Sequence, residues 1–204
     1  MTATIISIIV RMLSSTTPIA LAGVGGIFGE RSGIVNIGLE GTMLFSSFAA
    51  VIGSFYTGSA WVGLLCAVTT GVLISVLHSF LCINVKIDHN VSGLAINIAA
   101  ANITLYLMSF IFGSKGTSPA VTKLPDVSIP LLSKIPVVGE VFREMSIFTL
   151  MLPVVVLIAH YLLFKTDFGL RVLAVGENPK AAHSLGINVN RVQYLAVMIC
   201  GFCC

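Results

Sequence analysis

Charge is what this sequence has least of. Asp, Glu, Lys and Arg make up 9% of its 204 residues, against 56% hydrophobic residues, and the mean hydropathy is +1.03. A soluble domain carries about 25% charged residues. So small a polar complement cannot cover a water-soluble globule, and lipid must be the solvent. The formal net charge of +3 is too small to be a nucleic-acid footprint and reads as a matter of loop topology. No Gly-rich loop ends in Lys-Ser/Thr, so ATP is not hydrolysed here. Residues 23–29 are Gly-rich but lack that Lys and sit in an apolar run, where close helix packing explains them. His78, His89, His160 and His183 lack metal-ligand spacing, and no His-Glu-x-x-His is present, which excludes a hydrolytic metal site. His78 and His160 lie in apolar runs and read as hydrogen-bonded between helices, with a role in a solute path as the minority reading. No Ser or Cys has a base and an orienting group patterned around it. Cys66, Cys82, Cys200, Cys203 and Cys204 all fall in apolar runs and read as packing residues, leaving the redox compartment open. The N-terminus has no basic leader, and Arg11 interrupts the first apolar run, which favours a membrane span over a cleaved signal peptide.

What is present is a series of membrane-length runs. Residues 2–28 read as one span, kinked or broken near Pro18, because Pro removes a backbone bond and clashes with the preceding turn. Ser and Thr at 14–17 are placed to re-satisfy the freed carbonyls. If Arg11 snorkels to an interface, residues 17–29 are the deep part. Gly25, Gly29 and Gly33 make a small-residue ridge that lets another helix approach. After the charged turn 30–33 a second span is expected over 34–56. Residues 41–85 contain no Asp, Glu, Lys or Arg, too long a stretch for one span and suited to about two. The break falls at 56–61, where Gly and Ser punctuate and Tyr56 and Trp61 fit the headgroup level. A third span is expected over 61–83, a polar turn over 84–90, a fourth span over 91–112 and a fifth over 146–164. Residues 113–145 hold Pro119, Pro125, Pro130 and Pro136 and read as an extramembrane loop, with a short amphipathic piece near 137–142. From Val192 a sixth run begins and stops after 13 residues, below the ~20 that cross hydrocarbon, so the chain is expected to be incomplete at its C-terminus.

The most informative stretch is 168–187, FGLRVLAVGENPKAAHSLGI. Asn178 can cap a helix, Pro179 suits its first position, and Gly186 can take the left-handed conformation that ends it. A helix of about two turns is therefore expected over 180–185, bounded on both sides. So short a helix is marginal alone in water and needs a membrane base or a partner.

This stretch resembles the cytoplasmic coupling segment in permease subunits of bacterial ABC importers, in the branch that handles branched-chain amino acids, simple sugars and nucleosides. The matching residues are Gly169, Leu170, Arg171, Ala174, Val175, Gly176, Glu177, Asn178, Pro179, Ala181, Ala182, Gly186 and Ile187. The plainer alternative is an ordinary solvated loop. Residues 34–41, IVNIGLEG, resemble the segment near the start of these permeases, especially of the nucleoside and sugar branch. The loop pieces Gly116-Thr117-Ser118-Pro119, Lys123-Leu124-Pro125, Ile129-Pro130, Leu132-Ser133 and Ile135-Pro136 look like the external loop of nucleoside-type permeases.

The resemblance implies an all-α polytopic membrane bundle over 1–204, with about five full spans and a partial sixth. It implies an external loop at 113–145 and a cytoplasmic coupling loop at 165–191. It also implies a bacterial plasma-membrane protein that binds no cofactor. Its expected partners are an ATPase subunit that uses the ATP, a second permease subunit, a solute-binding lipoprotein and membrane lipid. The residues expected to couple to the ATPase are Gly169, Arg171, Gly176, Glu177, Asn178, Pro179, Ala181, Ala182, Gly186 and Ile187. If 165–191 is cytoplasmic, alternation puts 30–33 and 84–90 on that side too, with six Lys/Arg inside against four outside.

Four polar residues are candidates for the path or its gate. Asn36 and Glu40 lie four apart, hence on one face if that segment is helical. Glu40 reads either as a helix cap or cross-link, or as part of a gate. Asn97 and Asn102 point roughly 140° apart around a helix and cannot both face lipid without penalty. They suit amide contacts to a polar solute or bonding between helices. The competing readings are a self-contained secondary transporter, which would need more ionisable residues at the bilayer centre, and a membrane enzyme, for which no catalytic constellation is present.

Overall fold

The computed structural model describes residues 2–113, 118, 120, 121 and 147–204. The expected amphipathic piece at 137–142 and nearly all of the expected external loop lie outside the described residues. The described residues form eight helices and no strand: α1 Thr2–Arg31, α2 Leu39–Thr57, α3 Ala60–Ile83, α4 His89–Phe112, α5 Ile147–Lys165, α6 Asp167–Glu177, α7 Pro179–Ser184 and α8 Val189–Cys203. α2 packs between α3 and α4. α8 packs against α1 and α3, and α5 joins the far side of α1.

The distribution of side chains is that of a lipid-solvated bundle. Leu73, Phe110 and Leu157 are exposed, as are many other large apolar side chains on the long helices, while Ser75, His78 and Ser79 are completely buried. Lipid removes the drive to hide Leu or Phe, so small and polar residues take the inside, where helices meet closely and polar groups find partners. His78 bonds across to α4, its Nδ1 lying 3.0 Å from the Ser92 hydroxyl. His160 instead meets Phe164 of its own helix at a tilt, with ring centroids 5.0 Å apart.

Among the described residues, four helices are long and apolar enough to cross a membrane: Arg11–Arg31, Ala60–Ile83, His89–Phe112 and Ile147–Lys165. The second expected span differs. Residues 34–38 are not helical, and α2 starts only at Leu39, leaving 19 residues rich in Gly, Ser and Thr. The first span differs too. α1 runs through Pro18 without a break. The hydroxyls of Thr16 and Thr17 bond the carbonyls of Met12 and Leu13, just before the carbonyl that Pro18 deprives of a donor. Thr17 also reaches Thr149 of α5 at 3.0 Å, so the polar residues around Pro18 tie two helices together.

Glycines set the closest approaches. A Cβ at Gly25 would stand 2.7 Å from the Cys203 Cβ, and one at Gly29 3.1 Å from the Ile34 carbonyl, so the ridge expected on α1 does seat α8 and the chain turn. Gly33, its third member, lies past the helix end with φ 86°. α3 crosses α8 closely, so that a Cβ at Gly71 would collide with the Gly201 carbonyl and come within 2.9 Å of the Ser46 hydroxyl.

Gly71→Ala should therefore destabilise the protein by about 1–3 kcal/mol through overpacking. Gly23→Ala, where a Cβ meets nothing within 4 Å, should be neutral or stabilising. Thermal unfolding of the two variants in detergent checks the contrast.

Candidate functional site

Three chain turns meet at one end of the bundle. The side-chain amide of Gln193 on α8 donates to the Ser32 carbonyl at 3.2 Å. The Tyr194 hydroxyl bonds Asn84 Oδ1 at 2.7 Å. The Val35 N–H donates to His89 Nδ1 at 3.3 Å. Residues 30–38, 84–90 and 165–191 thus lie together, as alternation of spans requires.

The stretch read as a loop carrying one short helix holds two helices. Thr166 caps α6, its hydroxyl accepting from the Gly169 N–H at 3.2 Å. Asn178 caps α7 by accepting from the Ala181 N–H at 3.0 Å, with Pro179 in the first turn. Gly186 takes φ 81° and closes α7. Its N–H donates to the His183 carbonyl, and that of Ile187 donates back to the Ala182 carbonyl at 3.1 Å. This paired closure brings the residue after the glycine onto the helix. Ile187 accordingly packs on Ala182, within a buried cluster of Phe28, Leu163, Val172, Val175 and Val192. Asn188 then caps α8 through the Arg191 N–H at 3.1 Å.

The expected coupling residues divide into two groups. Ala182 is buried, and Ile187 is half-buried beside it. Gly169 and Gly176 are backbone contacts: a Cβ at Gly169 would collide with the Leu162 and Leu163 carbonyls, and one at Gly176 with the Arg31 carbonyl. Arg171, Glu177, Asn178, Pro179, Ala181 and Gly186 are exposed. Together they make a small rigid platform, sealed underneath and open on top. Sequence reasoning missed its most prominent apolar group, Leu185, which is 79% exposed. Helical spacing from Ala182 turns Leu185 inward, but the closure at Gly186 gives that place to Ile187.

The four candidate path residues are not part of this platform, and two expectations need correction. Asn36 and Glu40 do not share a helical face, because Asn36 precedes α2 in the non-helical link. There Asn36 Oδ1 accepts from the Gly38 N–H at 3.0 Å, and its amide lies 3.6 Å from the Cys200 sulfur. Glu40 is not several residues into a span; it is exposed in the first turn of α2, where a carboxylate favours the positive helix end. Asn97 reaches across from α4. It accepts from the Gly41 N–H at 2.7 Å and donates to the Ile37 carbonyl at 3.2 Å, so it serves as the cap that α2 lacks. Asn102 is exposed and bonds the Ile98 carbonyl of its own helix at 2.7 Å. Asn36, Glu40 and Asn97 are therefore gathered at one helix start, and Asn102 is apart.

The sequence profile of the family described as the branched-chain amino acid transport system permease component matches residues 8–204. The chain belongs to that family. It is 40% identical to the guanosine ABC transporter permease protein NupQ of Bacillus subtilis, over 97% of this chain and 64% of that protein. It is 38% identical to the nucleoside ABC transporter permease protein NupC of Lactococcus lactis, over 95% of this chain and 63% of the relative. It is 30% identical to the putative glucose ABC transporter permease protein TsgC13 of Haloferax volcanii, over 93% and 57%. The chain thus spans less than two-thirds of the length of these relatives. No solved structure matches it. Family and apolar helices together make this a multi-pass membrane protein.

Asn97→Leu should cost about 1–3 kcal/mol, because it strips the Gly41 N–H of its acceptor at a buried helix start. Asn102→Leu, which removes only a local bond on an exposed face, should stay within about 0.5 kcal/mol. Melting temperatures in detergent separate the two.

Proposed function

We propose that this chain is a membrane-spanning permease subunit of an ATP-driven importer for nucleosides, in a bacterial plasma membrane. The observation that carries the reading is the similarity, over nearly the whole chain, to two permeases named for guanosine and nucleosides. In this reading the chain binds no cofactor and hydrolyses nothing. A separate ATPase subunit uses the ATP, a second permease subunit completes the membrane unit, and a solute-binding protein delivers the nucleoside. The weaker similarity to a permease named for glucose makes a simple sugar the second reading.

The coupling step follows from the platform at residues 165–191. α7 stands out from the bundle with Leu185 and Pro179 exposed, a small surface that fits a recess on the ATPase. Only contacts that differ between the two ATPase states transmit work. α7 receives the displacement, and the backbone contacts at Gly169 and Gly176 pass it to α5 and α1 without intervening side chains. The helix start holding Asn36, Glu40 and Asn97 lies at the same end and is the proposed gate. Asn102 joins the path only if a second subunit covers its face.

Leu185→Asp should reduce co-purification with the ATPase by tenfold or more while membrane insertion stays unchanged. Uptake of labelled guanosine, glucose and leucine by cells carrying the assembled importer tests the substrate; guanosine is expected to be taken up, and glucose uptake in its place would favour the second reading. If a cysteine at position 184 were labelled from outside intact cells, the coupling assignment would be lost.

A further inference from the structure

The coupling platform shares Arg171, Leu185 and Ile187 with a second feature of the same end of the bundle. A groove of about 560 Å³ separates the first turn of α6 from the first two turns of α8. It is lined by Asp167, Phe168 and Arg171 of α6, by Leu185 and Ile187 at the exit of α7, and by Arg191, Val192 and Leu195 of α8. Both arginines are exposed, and among the described residues neither guanidinium has a hydrogen-bond or ion-pair partner. Two helix starts open beside them, α6 at Asp167 and α8 at Val189. Each carries the partial positive charge of its free N–H groups. Against this stands one carboxylate, Asp167, so the groove is cationic on balance.

The groove also continues onto apolar surface. Leu195 is 49% exposed, and Phe202, two turns on along the same side of α8, is 62% exposed. Lys165, the last residue of the membrane-length helix α5, immediately precedes the Thr166 cap of α6. The groove therefore sits where a membrane helix ends and combines two cationic side chains with an apolar lining. An acidic side chain of a soluble partner would use only the arginines. A phospholipid uses both parts, and a basic pocket between helices at the membrane surface is the usual setting for an anionic headgroup.

We propose that this groove binds an anionic phospholipid. Arg171 and Arg191 take its phosphate, and Phe168 and Leu195 take the upper part of an acyl chain. Guanidinium suits phosphate because its planar donors pair with two oxygens at once. The bound lipid bridges α6 and α8, the two helices that flank α7. The proposal needs only the membrane location of the chain and is independent of which solute is carried.

Native mass spectrometry of the full chain in detergent, titrated with dioleoyl phosphatidylglycerol or dioleoyl phosphatidylcholine, tests it. Phosphatidylglycerol should be retained at least tenfold better, and R171Q/R191Q should bring it down to the phosphatidylcholine level. K86Q, which removes a cation from the same end of the bundle, should leave retention unchanged. A lipid-free melting temperature equal to that of the parent shows that the double variant is folded. If it is not, the single variants R171Q and R191Q, each expected to weaken retention severalfold, give the same reading. Equal retention of the two lipids, or full retention by the arginine variants, overturns the proposal. So does a double variant that loses a co-purifying ATPase but not the lipid, since the arginines would then belong to a protein contact.

Discussion

Free backbone N–H groups at helix starts govern this end of the molecule. A helix leaves its first donors without partners, and near lipid water cannot be relied on to satisfy them. The starts of α2, α4, α6, α7 and α8 gather where three turns of the chain meet. Asp88, Thr166, Asn178 and Asn188 each supply an acceptor to the helix they precede. α2 has no side-chain cap of its own, and Asn97 supplies the acceptor from a neighbouring helix. Much of the polar composition of this apolar chain is thus committed to ending and starting helices, which is why so few residues remain to serve as a conventional site.

The same constraint makes the α6–α7 unit stiff. Its caps fix each helix start, the closure at Gly186 fixes the exit, and Ala182, Val172 and Val175 seal the underside against Phe28 and Leu163. Where α6 meets α5 and α1, glycine lets backbone lie on backbone. Side chains at those contacts would absorb a displacement by changing rotamer; a carbonyl against a Cα has no such freedom. Stiffness of this kind suits a part that is pushed, and the proposed role of α7 as a handle depends on it more than on any single exposed residue.

The legible part of this region was the part fixed locally. Asn178, Pro179 and Gly186 each determine the backbone within a residue or two of themselves, so α7 could be read to within a residue at each end. α6 was hidden because its inward residues, Val172 and Val175, are few and its outward ones include Arg171 and Glu177, so polarity obscured the period. The start of α2 was misread for the opposite reason. Ile34 through Ile37 are as apolar as a span, and what keeps them out of a helix is tertiary: the turn made by Asn36, the bond from Val35 to His89, and a cap delivered from α4. No window of sequence contains both Gly41 and Asn97. Likewise Pro18 predicts a weak point in α1, but the packing of α5 and α8 along that helix decides whether the chain continues through it.

α2 also shows what hydropathy measures in such a protein. It packs between α3 and α4 and buries Thr42, Ser46 and Ser54, yet it is not among the helices apolar enough to be recognised as spanning. α5 is apolar along its length and is the least covered of the four that are. Apolarity is demanded by contact with lipid, and a helix enclosed by its neighbours is released from that demand. It can then spend its surface on small residues for close packing and on hydroxyls that bond backward along the helix, as Thr42 bonds the Gly38 carbonyl at 2.8 Å. α2, flanked by α3 and α4 and carrying hydroxyls on its packed side, is therefore well placed to border a polar path.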